Sequence, residues 1–264
     1  MAATWYDLLA AAIGGGVIST AIEHLYLFYV RKSDADRTAK EIIDKHLESI
    51  LKSADDLVGK ILSLAKRDFK ELIDKKSSND DFISQQPLLT LMYLFAQFWS
   101  RIQILKIESQ FVNLRSDERG RKLFEFIKTL DGKRTSIIER SWQRGIGESI
   151  ICRDSDDLRQ LTFYEFVESY LYSKDLQKWY IPLKDILEDL IDKSKRQRVL
   201  VYGVVLHALI DTLDEKHLIT KERPSWPNKL SFKSRRDLQE RVFKVYLNFV
   251  EKPERYFAVA HKKM

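Results

Sequence analysis

Leu8 to Ile22 carries no charged residue, and the apolar run resumes from Leu25 to Val30. Together with Thr4 to Tyr6 this is enough helix to cross a bilayer core, which takes about 20 mostly apolar residues. The pair Glu23–His24 is the one polar defect in it. Small and polar residues recur at every fourth position in two adjacent rows: Ala11, Gly15, Ser19, Glu23 and Ala12, Gly16, Thr20, His24. The pattern predicts a membrane anchor with one small, polar face. In lipid, helices associate where small residues let backbones approach. The face Ala11, Gly15, Gly16, Ser19 and Glu23 is therefore the expected self-association surface.

From Ser33 to Lys76 the chain has no Pro and one Gly, Gly59. Ile43, Leu47, Ile50, Ala54, Leu57, Ile61 and Leu64 alternate spacings of four and three, a heptad-like stripe. A second stripe runs Leu51, Val58, Leu62, Ala65, Phe69, Ile73. The two predict one long helix whose wide apolar face packs against more than one partner, read as a coiled-coil-like stalk that continues the membrane helix. Lys75 to Gln86 reads as a linker. Beyond it the spacing predicts a helix from Ser84–Pro87, nearly all apolar from Leu88 to Trp99. Its polar residues, among them Gln97, Arg101 and Lys106, make it a buried core helix rather than a second span. Shorter helices follow over Asp117–Leu130, stopped at Asp131–Gly132; Thr135–Ile151; Phe163–Tyr172, capped by Thr162; Leu176–Ile191, interrupted at Pro182; and Arg196–Leu213. Ser234 to Val250 reads as a basic amphipathic helix. No alternating strand pattern of useful length occurs, so the fold class is all-α. The expected organisation is an anchor at 1–32, a stalk at 33–76, a helical cytoplasmic domain at 84–218 and a basic extension at 219–264.

Composition and charge refine this picture. Gly (9) and Pro (5) are scarce in 264 residues, which favours long helices over many turns. The net charge of +6 is uneven: residues 221–264 hold twelve Lys or Arg against five Asp or Glu, leaving the remainder near −1. Arg235, Arg236, Arg241 and Lys244 in that tail form an expected surface for nucleic acid or anionic lipid. The single cysteine, Cys152, cannot form a disulfide within the chain and fits a reducing compartment. The N-terminus lacks the positive region of a signal peptide. Arg31 and Lys32 directly follow the span, which places the N-terminus outside and the remainder in the cytoplasm.

Candidate chemistry is sparse. Arg101 and Glu108 lie two turns apart on one helix; Arg144 and Glu148, and His207 and Asp211, lie one turn apart. Buried charges must pair, so these six residues read as a polar network tying helices together. The alternative is a polar pocket in which Asp211 orients His207 as a general base. With five histidines and no spaced His pair, no metal site is expected, and no phosphate loop or cofactor motif occurs. Arg255 and His261 match the Arg–His spacing of the nucleases named for higher eukaryotes and prokaryotes nucleotide-binding (HEPN). About one such match arises by chance in this composition, and the chain end is a hard place to build a packed site.

Three blocks, YLFAQFWSRIQILKIESQF (Tyr93–Phe111), WQRGIGESI (Trp142–Ile150) and LHALIDTLD (Leu206–Asp214), resemble a family of uncharacterised bacterial proteins with one N-terminal span and a helical cytoplasmic body. Trp99, Glu108, Arg144, Gly147, Glu148, His207 and Asp211 fall on the matching positions. Gln103 stands where that family tends to be acidic. The resemblance covers about residues 88–214 and implies no activity. The expected protein is thus a single-pass bacterial inner-membrane protein that self-assembles and acts as scaffold, sensor or membrane effector, with stress or phage defence as a setting by analogy of architecture. The competing expectation is a membrane-tethered RNA-binding protein or HEPN-like ribonuclease. The expected partners are the bilayer, further copies of the chain, and nucleic acid or anionic lipid on the basic tail. The small-molecule ligand stays open.

Overall fold

The computed structural model describes residues 18–73, 82–154, 157–224 and 229–257. Among the described residues helix accounts for 73% and strand for 4%, so the helical class read from the periodicity holds. Of the expected self-association face, Ala11, Gly15 and Gly16 lie outside the described residues. Ser19 and Glu23 lie on a helical backbone, but their side chains also lie outside them.

The organising element is α1 (Ile18–Lys66), one helix of 49 residues. At 1.5 Å per residue it is about 70 Å long. Its residues up to Arg37 carry exposed side chains wherever these are described, whereas from Ala39 onward its apolar positions are buried, Ile42 only partly. All seven residues of the first stripe, Ile43 to Leu64, are buried, as are Leu51, Val58, Leu62 and Ala65 of the second. These faces pack on α3 (Phe82–Glu108) and α8 (Lys193–Leu213). The wide face thus packs against two partners, as its double stripe implies. A two-stranded seam needs only a narrow stripe. Two offset stripes span a wider arc, and here that arc is filled by the protein's own helices. After α1 the chain passes through Asp68 and Phe69, both at positive φ, into the single turn α2 (Lys70–Ile73).

The helix α3 is long and apolar enough to span a membrane, yet two thirds of that stretch is buried inside the bundle. A 3-10 turn, Leu114–Ser116, leads to α4 (Glu118–Leu130), which is capped by the Asp117 carboxylate accepting from the Gly120 amide at 3.1 Å. Next, α5 (Arg140–Ser149) starts five residues later than the sequence predicts. Residues 135–139 form turns instead, with Ile137 and Ile138 in the core.

An unforeseen hairpin follows. β1 (Ile151–Asp154) pairs antiparallel with β2 (Asp157–Gln160), Cys152 opposite Arg159. It is fastened to α3 by side chains: Gln160 donates to the Gln97 carbonyl at 2.7 Å and to the Ser100 hydroxyl, and Tyr93 donates to the Leu161 carbonyl at 2.9 Å. Then come α6 (Phe163–Tyr172), with the Thr162 cap completed by Glu165 as a capping box, and α7 (Lys174–Glu188), which carries Pro182 without breaking.

The C-terminal segment is built into the same core. From α9 (Phe232–Asp237) the chain widens into a π-helical turn, Leu238–Phe243, rather than continuing as a regular helix to Val250. Leu238, Val242, Phe243, Leu247, Val250, Tyr256 and Phe257 are buried with residues of α1 and α8 in one cluster. The expected basic extension is therefore not an appendage. Arg223 ties it to α1, donating to the Asp55 carboxylate at 2.6 Å and to the Asp55 carbonyl at 2.8 Å.

Candidate functional site

The six residues expected to form one polar network fall in separate places. Glu108 turns to α1, accepting from Lys45 at 2.6 Å and lying 2.9 Å from His46 Nε2. Burial opposes its charge, but these two partners outweigh it and hold its pKa below the ordinary range. Arg101 is half-buried on α3, where burial lowers its pKa, and among the described residues no ion pair joins it to Glu108. Arg144 and Glu148 do meet, at 2.7 Å, but on the surface. Only His207 and Asp211 are deeply buried, at 1% and 9% exposure.

The Asp211 carboxylate is the centre of a real cluster. Arg255 Nη2 lies 2.8 Å from Oδ2, and the Tyr256 hydroxyl donates to the same oxygen at 3.1 Å. On the other oxygen, His207 Nε2 is at 3.6 Å and His217 Nε2 at 3.7 Å. These distances are longer than a hydrogen bond, so the contact between Asp211 and His207 is electrostatic. Burial depresses the His207 pKa, with Asp211 pulling the other way. Its ring packs in a T shape against that of Tyr256, with the centroids 5.2 Å apart.

Two local structures deliver the partners. Asp214 ends α8 and accepts from the amides of Leu218, Ile219 and Thr220 at 2.8 to 3.0 Å, folding the loop that presents His217 at positive φ. The 3-10 turn Pro253–Tyr256, entered through Lys252 at positive φ, presents Arg255 and Tyr256. Tyr256 and Phe257 are core residues, so the turn that carries Arg255 is firmly packed. His261 lies outside the described residues. The sequence reading missed His217 and Tyr256; the only hint was that His217 follows the capping Asp214 by three residues. Chemically, the cluster sets two imidazoles beside one carboxylate with a half-exposed guanidinium on its outer side. No group of three or more His, Cys, Asp or Glu that could hold a metal ion occurs among the described residues.

A second feature gathers the first two sequence blocks. A cavity of about 690 Å³ opens between α3, α4 and α5. Trp99, Gln143 and Tyr202 form part of its buried floor, and Trp99 Nε1 donates to the Tyr202 hydroxyl at 2.8 Å. Gly147 makes this possible: a Cβ there would come within 2.9 Å of the Trp99 carbonyl carbon and 3.1 Å of the Ser100 nitrogen, both backbone. Arg144 and Glu148 stand at the mouth. Deeper, burial lowers the pKa of Lys106 and raises that of Asp131. Gln143 donates to the Ile138 carbonyl at 2.8 Å, and its buried side-chain oxygen has no partner. Such a cavity has the size and mixed lining of a small-ligand site. Gln103, at the position where the resembled family tends to be acidic, also lines it.

The expected basic surface is partly neutralised by its own helix. Arg241 lies 3.6 Å from Asp237 and Lys244 3.2 Å from Glu240. Arg236 is exposed on α9, and Arg235 is more covered.

No family model, no curated protein and no solved structure matches the chain.

Proposed function

We propose that this chain is a membrane-anchored, self-associating helical protein that works as a sensor or effector at the bilayer. One observation carries the reading: a single uninterrupted helix joins the apolar N-terminal sequence to the middle of the core. A tilt or rotation of its outer part would act directly on α3 and α8. On that outer part Tyr26 is 67% and Leu27 40% exposed, which suits contact with lipid or with a second copy. Glu23 stands in the last turns before Arg31, a position that favours the inner interface over the centre of the membrane. The cavity lined by Trp99, Lys106 and Gln143 is the place where a small ligand would bias the bundle.

The test is fractionation followed by sizing. The full chain is expected in carbonate-washed membranes and as a multimer in mild detergent. Recovery in the soluble fraction overturns the anchor; a strict monomer overturns self-association.

A second reading, a tethered ribonuclease of the HEPN kind, is favoured by the placement of Arg255 on Asp211 beside two imidazoles. It expects RNA cleavage that is lost in Arg255→Ala and in His261→Ala. Cleavage surviving both substitutions removes this reading.

A further inference from the structure

The loop between α4 and α5, the first turns of α8 and the helix α9 meet on one face and leave two adjoining recesses there. One, of about 380 Å³, is lined by Arg134, Lys193, Arg198 and Lys233, with Gln197 and three serines. The other, of about 270 Å³, is lined by Lys128, Lys133, Arg134 and Tyr246. They share Arg134 and Val242, so they form one continuous surface. Asp237 is the only carboxylate lining it, and it lies 3.6 Å from Arg241.

Six cations thus converge on a concave face, and among the described residues no ion pair or hydrogen bond is seen for any of their side chains. The whole chain has a net charge of only +6. Five of the six belong to residues 1–220, whose net charge is near −1, so this face gathers cations locally in a body that is otherwise balanced. Collecting like charges without counter-charges costs stability, and a polyanion would relieve that cost.

We propose that this face binds single-stranded nucleic acid, with the cations on phosphates and Tyr246 as a stacking surface. Three observations favour a strand over an anionic bilayer. The cations line recesses, which a flexible phosphate chain enters and a flat headgroup layer does not. Tyr246, 47% exposed, offers a ring edge and face beside the cations; base–aromatic stacking is the usual companion of such a groove. Gln197, held by Ser231 and Lys229, and the serine hydroxyls supply neutral hydrogen-bonding groups of the kind that contact sugar and phosphate. The proposal is independent of the membrane reading, because the outer part of α1 contributes nothing to this face.

The experiment is fluorescence anisotropy of a labelled 12-nucleotide uridine RNA with the full chain in zwitterionic detergent, titrated with salt. Three to four phosphate contacts give a slope of log K against log salt of about −2 to −3. The triple variant Arg134→Gln, Lys193→Gln, Arg198→Gln is expected to weaken binding at least tenfold and to flatten the slope by about 2. Tyr246→Ala should weaken binding threefold or more with the slope unchanged. The control variant Lys40→Gln, Lys174→Gln, Lys184→Gln removes the same charge elsewhere and should retain binding within threefold. All the cations substituted on this face are exposed, so circular dichroism and Tm should match the parent. The proposal is overturned if the RNA does not bind at 50 mM salt, or if the two triple variants lose affinity equally. It is also overturned if the face variant loses binding to phosphatidylserine vesicles while RNA binding is unchanged.

Discussion

Two i,i+4 pairs that look alike on a helical wheel have opposite fates. Arg144 and Glu148 close to 2.7 Å, yet their side chains are 69% and 44% exposed. His207 and Asp211 are both buried but stand 3.6 Å apart, and the carboxylate is instead gripped by Arg255 and Tyr256 from the far end of the chain. The surface pair costs little to form and contributes little. The buried carboxylate is an electrostatic liability that only its distant partners make tolerable. Shared helical spacing says which side chains neighbour each other. What covers them decides the energy.

That contrast can be broken by substitution. The largest effect is expected for Asp211→Ala, which strands the Arg255 guanidinium and the Tyr256 hydroxyl. Breaking a buried pair costs about 3–5 kcal/mol; the low end is expected because Arg255 is half-exposed and can rehydrate. Chemical denaturation should show the loss. An unchanged midpoint would mean that the cluster contributes nothing to folding. Next comes Gly147→Ala, whose Cβ meets backbone that cannot swing aside. Overpacking of this kind costs about 1–3 kcal/mol, and α5 must shift from α3, deforming the cavity. Retention of full stability would show that the close approach is not tight.

A smaller effect is expected from pH. The folded-state pKa of His207 is depressed by burial below its ordinary value of 6.5, so the unfolded chain takes up its proton first. The stabilising contribution is full above that value and is lost as pH falls through the folded-state pKa. Asp211, Arg255, Arg223 and His217 all act on this imidazole, so the comparison is between the parent and His207→Gln. The variant should lose part of the decline in Tm between pH 7.5 and 5. An identical decline in both would assign it to other groups. The smallest effect is expected for Arg144→Gln, with Tm unchanged within error. A clear drop would show that the exposed pair carries more than its solvation allows.

Much of the architecture was legible. The helix stop at Asp131–Gly132 and the Thr162 cap were readable because capping is a local hydrogen-bond problem solved by a few neighbouring residues. The hairpin of residues 151–160 was not. Its strands are four residues long and pair Cys152 with Arg159, Arg153 with Leu158 and Asp154 with Asp157, without the alternation that marks a half-buried strand. Its anchors, Gln97, Ser100 and Tyr93, lie some 60 residues away on α3. The candidate cluster was half legible. His207 and Asp211 stood out as polar residues in an apolar helix, whereas His217 and Arg255 depend on loops whose paths follow from tertiary packing. The basic face was hidden because its cations come from three separated segments.

By itself the sequence determined the helical class, the long apolar faces of α1, α3 and α8, and which polar residues share a helical face. These follow from the 3.6-residue period and from local caps, which act over one or two turns. Only the tertiary structure decided that the twin stripes of α1 close an internal core, that Glu108 turns to Lys45 rather than to Arg101, and that Asp211 takes its partners from the C-terminal turn. Each of those outcomes turns on which surfaces exclude water together, and the neighbours that exclude it are set by the packing of segments far apart in the chain.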